Sequence, residues 1–159
     1  MITSLAHTAV CVPDVDEAVR WYESVLGMRV LSPPYLMSGP QIEADMGELL
    51  PSPVEVKAAI VGFEGGDGDR VIEVIEYPRA AAGDGLEREL TDVGYSHIGL
   101  VCDDIEATRA ALEGSGVQFL TRGIAKVAGL RTTWFVDPYG LVYILMEKRA
   151  PARPYWRQY

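Results

Sequence analysis

The chain carries two histidines, His7 and His97, and a neutral imidazole is a ready ligand for first-row divalent metals. Each stands near the start of a short apolar run, LAHTAVCV at 5–12 and SHIGLVC at 96–102. A histidine on such a run is ordinarily a satisfied core or rim residue. What singles out this pair is that the sequence around them repeats with a period of 90 residues. If duplicated modules pack about a pseudo-twofold axis, equivalent residues approach one another across it. A third donor is Glu73 in VIEVIEY, at 71–77. Strand alternation puts it on one face with Val71 and Ile75, while Ile72, Val74 and Glu76 point the other way. A carboxylate among apolar neighbours needs a charge partner or pays for lost hydration, so Glu73 either joins the histidines or lies on a solvated face. His7, Glu73 and His97 are therefore the candidate ligands of a divalent metal ion (Fe, Zn, Ni, Co or Mn).

These residues need elements to hold them. After the first strand, Asp14 and Glu17 read as a capping box, followed by Ala18, Tyr22, Val25 and Leu26 along one helical face. Gly27 closes that helix. Met28–Leu31 starts a second strand. Residues 32–53 read as irregular, with Pro33, Pro34, Pro40, Pro51 and Pro53, and carry a short helix around Ile42–Leu50 or form a lid. Val54–Phe63 and Val71–Tyr77 read as strands joined by a hairpin turn through Gly65–Asp69; residues 78–92 read as a connector. The pattern then returns. Ser96–Cys102 is a strand, Asp103 and Glu106 repeat the helix-start signal, and Ile105, Thr108, Ala111 and Leu112 share a face ended by Gly114 and Gly116. Val117–Leu120, Thr132–Val136 and Leu141–Met146 are three more strands. Each half reads strand–helix–strand–strand–strand, giving an α+β chain with module one at about 1–80 and module two at about 94–148. Residues 149–159 form a tail that packs on a second subunit, caps the site or stays disordered.

Composition bounds the partners. With 159 residues, 48% of them hydrophobic, the chain can bury a core as one domain. A formal net charge of −9 argues against nucleic acid, which is bound through clustered Lys and Arg, and suits a cationic ligand better. No apolar run is long enough to span a membrane, and the first residues lack a secretory signal. The two cysteines, Cys11 and Cys102, are expected to be buried and reduced in a cytoplasmic protein.

AHTAVCVPDVDEAVRWYESVLGMRV, VIEVIEY, YSHIGLVCDDIEATRAALEGSGVQFL and FVDPYGLVYILMEK together resemble the vicinal oxygen chelate superfamily. That group includes glyoxalase I, methylmalonyl-CoA epimerase, extradiol dioxygenases, and fosfomycin- and bleomycin-resistance proteins. The resemblance runs from Leu5 to Glu147 and implies two tandem βαβββ modules forming a curved mixed sheet around a metal cup. It implies His7, Glu73 and His97 as ligands, with a fourth expected four residues beyond the glycine of DPYG. That position is Ile144, a departure from the pattern. It leaves a three-ligand site, or a register shift that recruits Glu147 through a bulge, or no metal. The implied function is a metal-dependent lyase or isomerase (epimerase) acting on a small molecule with vicinal oxygens through an enediolate or enolate, with Glu73 as ligand and base in turn. Alternatives are an extradiol-type dioxygenase and a metal-free binding or resistance protein. A homodimer is the expected assembly, with modules sharing a site within one chain or across two.

Overall fold

A computed structural model describes residues 6–63, 70–80, 90–91 and 93–158. The chain divides into two units, Met1–Asp84 and Gly85–Tyr159. The hairpin turn expected at Gly65–Asp69 and most of the connector at 78–92 lie outside the described residues.

In the first unit the order is β1 (His7–Cys11), α1 (Val15–Ser24), β2 (Arg29–Ser38), α2 (Pro40–Met46), β3 (Glu55–Gly62) and β4 (Val71–Glu76). The strands form one sheet in the order β1-β4-β3-β2. Asp14 caps α1, its carboxylate accepting from the Glu17 N–H at 2.9 Å. Gly27 takes a left-handed φ of 67°, and the Met28 N–H returns to the Tyr22 carbonyl, closing the helix as the glycine foretold. α1 buries Val15, Ala18, Val19 and Tyr22, and Val10, Ala59, Val61, Ile72 and Val74 are buried with them.

Here β2 corrects the sequence reading. It runs straight through Pro33 and Pro34, which were expected to break it. β2 lies at the sheet edge, where a missing N–H is tolerated, and its register with β3 shifts between Val30 and Ser32 and again between Ser32 and Tyr35. The irregularity around the prolines is thus absorbed as bulges.

The second unit repeats the plan with β5 (Ile98–Cys102), α3 (Ile105–Gly114), β6 (Gln118–Phe119), β7 (Ala125–Val127), β8 (Leu130–Val136) and β9 (Val142–Lys148). Its order is β5-β9-β8-β6, with β7 also on β8. The helix cap is Asp104, which accepts from the Ala107 N–H at 2.9 Å, and not Asp103 as the Asp-x-x-Glu spacing implied. β7 had no counterpart in the sequence reading. It is three residues long and turns into β8 through Ala128 and Gly129, both at positive φ.

The tail is described through Gln158. After a 3₁₀ turn at Tyr155–Arg157, the Gln158 side chain is 3% exposed. Its amide donates to the carbonyls of Ala150, Arg153 and Pro154 and accepts from the Ala150 N–H. Gly129 permits this closeness, since a Cβ there would overlap the Gln158 carbonyl.

Candidate metal centre

β1 and β4 run parallel with His7 opposite Val71, Ala9 opposite Glu73 and Cys11 opposite Ile75. Paired residues share a face, so one face of the first sheet carries His7, Cys11 and Glu73 among Ala9, Ile60, Val71 and Ile75. His7 Nε2 lies 3.2 Å from Glu73 Oε2, with side-chain exposures of 47% and 23%. The structure thus joins two of the three sequence-predicted residues. Two donors held about 2.1 Å from a single ion in tetrahedral or octahedral geometry stand roughly 3.0–3.4 Å apart. The observed separation fits that spacing, and an imidazole beside a carboxylate is a donor set suited to the metals named above.

The expectation that both cysteines are buried fails, because Cys11 is exposed and Cys102 intermediate. An apolar run reads as buried throughout, yet among the described residues of this one only Val10 and Val12 are buried. Partial burial still pushes the Cys11 thiol above its ordinary value, which favours the neutral form.

In the second unit His97 immediately precedes β5. Its ring stands edge-on to Trp134 with centroids 4.8 Å apart, and its Nδ1 is 3.0 Å from Ser96 Oγ. A hydrogen bond at Nδ1 orients the imidazole and leaves Nε2 as the outward donor. Ile144 pairs with Gly99 on one side and Trp134 on the other, as Glu73 pairs with Ala9 and Ile60. The two positions correspond, so the second unit has an apolar side chain where the first has its carboxylate.

Glu147 faces the other way. Its Oε2 accepts from the Ile105 N–H at 2.8 Å, at the start of α3, and Arg131 pairs with it at 3.2 Å. No bulge turns it toward the face of Ile144, so the register-shift alternative is set aside. Glu76 does the equivalent work in the first unit, its Oε2 accepting from the Val15 N–H at 3.0 Å. Among the described residues, Asp104, Glu106 and Glu147 do converge as possible cation ligands. Each already has a partner, however, for Arg131 pairs with both glutamates and Asp104 caps α3. The cluster is a clamp between strand and helix.

Sequence reasoning passed over Ser96 and Trp134, which hold His97, and Tyr77, whose phenol is pushed up by partial burial and by the nearby Cys11 and Glu73. Tyr77 was legible in principle, four residues beyond Glu73 and the first residue after β4. Trp134 and Ile144 are equidistant from Tyr139 in the DPYG turn, which also marks them as a pair.

A family model for the glyoxalase/bleomycin resistance protein/dioxygenase superfamily matches residues 4–143. The chain belongs to that superfamily. Among its members, lactoylglutathione lyase of Haemophilus influenzae is 27% identical over 148 residues, covering 92% of this chain and 93% of that protein. Two solved structures show the same fold. A glyoxalase family protein from Bacillus cereus aligns with a TM-score of 0.79 at 16% identity, over 94% of this chain and 97% of that one. The glyoxalase I of Leishmania major, described as trypanothione-dependent, aligns with a TM-score of 0.61 at 20% identity, over 93% and 88%. No described helix is long and apolar enough to cross a membrane.

Proposed function

We propose that this superfamily member is a metal-dependent lyase or isomerase acting on a small molecule with vicinal oxygens, with His7, Glu73 and His97 as the metal ligands. The observation that carries the reading is the His7–Glu73 pair at 3.2 Å on an otherwise largely apolar strand face. His97 joins it on the strength of the 90-residue repeat and the family resemblance, within one chain or by exchange between two. A divalent ion held there supplies Lewis acidity toward adjacent substrate oxygens and stabilises negative charge that develops on them. Acting as ligand and base in turn, Glu73 would take the proton from the substrate carbon next to the carbonyl and return it to the neighbouring position. Ala9, Ile60, Val71 and Ile75 offer no competing donors and limit water around the reacting atoms.

Metal analysis of protein purified without a histidine tag tests this. Wild type should retain about one equivalent of a transition metal, and His7→Ala, Glu73→Gln and His97→Ala should each lose most of it while remaining folded. A wild-type content below about 0.2 equivalents, unchanged in His97→Ala, sinks the proposal. Conversion of the methylglyoxal–glutathione hemithioacetal then asks whether the chain shares the reaction named for its Haemophilus relative. If the metal is iron, oxygen uptake with catechols separates a dioxygenase from an isomerase.

A second reading has one observation in its favour. Ile144, Trp134 and Gly99 make an apolar wall in place of a ligand, as a metal-free binding protein would need for a hydrophobic guest. The same metal analysis decides between them.

A further inference from the structure

A cavity of about 240 Å³ opens in the first unit beyond the end of β4. One wall is Leu50, Pro51, Pro53 and Val54, and the other is Tyr77 and Ala80, with Arg79 and Glu55 completing the lining. The first wall is fastened. Glu43 of α2 accepts from Ser52 Oγ at 2.7 Å and from the Val54 N–H at 2.6 Å, which ties the proline segment to the helix. Tyr77, on the other wall, follows directly on β4, the strand that carries Glu73, and its phenol lies within electrostatic reach of that carboxylate.

We propose that this cavity is a specificity subsite for an uncharged, ring-sized substituent of the substrate, carrying an oxygen that accepts a hydrogen bond from the Tyr77 phenol. The proposal rests on the functional reading above and adds the substrate's shape: reacting oxygens at one end, and a neutral group one ring wide at the other. Size sets the ring, since ligand pockets for whole drug-sized molecules run to roughly 300–1,000 Å³. Charge sets the neutrality. The Arg79 guanidinium is already paired with Glu55 at 3.0 Å, so among the described residues the lining carries no unpaired cation for a carboxylate or phosphate, and a chain of net charge −9 repels both. The phenol stays protonated through neutral pH, because burial and the charges beside it disfavour its ionised form; it therefore serves as a donor.

Benzamide and its anionic isostere benzoate are the probes, titrated into the full-length ¹⁵N-labelled protein with and without chelator. Benzamide should shift the amide signals of Val54, Tyr77 and Ala80 saturably, and benzoate should bind about tenfold more weakly. Tyr77→Phe should weaken benzamide about three- to tenfold, and Ala80→Trp, with the rest of the spectrum native, should abolish binding. Equal binding of both probes, no shift at these residues, or full binding by a folded Ala80→Trp protein overturns the subsite. Metal content measured on the same samples keeps the two ideas apart. A metal-free wild type that binds benzamide here defeats the enzyme reading alone, and a metal-loaded wild type that does not defeats the subsite alone.

Discussion

Position 144 is where the two modules part company chemically. Glu73 and Ile144 hold corresponding places between neighbouring strands, but only the first can donate to a metal. Under the three-ligand proposal, Ile144→Glu restores the missing carboxylate. It should tighten metal binding by about tenfold or more in competition with a chelator; an unchanged affinity would place residue 144 away from the ion. Glu73 was legible in the sequence because a six-residue strand enforces alternation strictly enough to put one carboxylate on each face. The exposure of Cys11 was not, since it depends on whether anything covers the second face of β1. Ser96 was equally hidden, because nothing in the order of residues says that its hydroxyl folds back onto the next side chain.

At the level of elements, Glu76 and Glu147 tie the last strand of each unit to the first turn of its helix. Glu147 also holds Arg131, so Glu147→Ala removes a helix-terminal acceptor and leaves Arg131 with Glu106 as its remaining partner. We expect a loss of about 2–3 kcal/mol in urea unfolding with metal content unchanged. Loss of metal instead would mean that the carboxylate belongs to the centre after all. Glu43 gives a pH-dependent counterpart. Hydrogen bonds from Ser52 and then Val54 hold its carboxyl below the ordinary value of 4.5. Its folded-state pKa is lowered, so the fastening is present above that value and is lost as pH falls through the folded one. Hydrogen exchange at Val54, corrected for intrinsic rates, should accelerate across this acid range in wild type and show no such step in Glu43→Gln. Elements with strong periodicity and caps, β1, α1 and α3, were readable from sequence. β2 was not, because a proline pair breaks a central strand but only kinks an edge, and sequence does not announce which strand is the edge. β7 escaped because three residues are too few to show a period.

For the whole molecule, the 90-residue repeat was the most informative signal, since it announced the strand–helix–strand order that opens each unit. Assembly remains a matter for solution. We expect sedimentation velocity to give twice the chain mass of 17.4 kDa, as the family resemblance implies, and a species of single-chain mass at micromolar concentration would refute that. One detail bears on how the protein is handled. Gln158 seats its amide against three backbone carbonyls and lies against a hairpin glycine that cannot take a side chain. An affinity handle or fluorescent fusion appended beside it starts from a sealed joint, so such additions belong at the opposite terminus or behind a long flexible spacer.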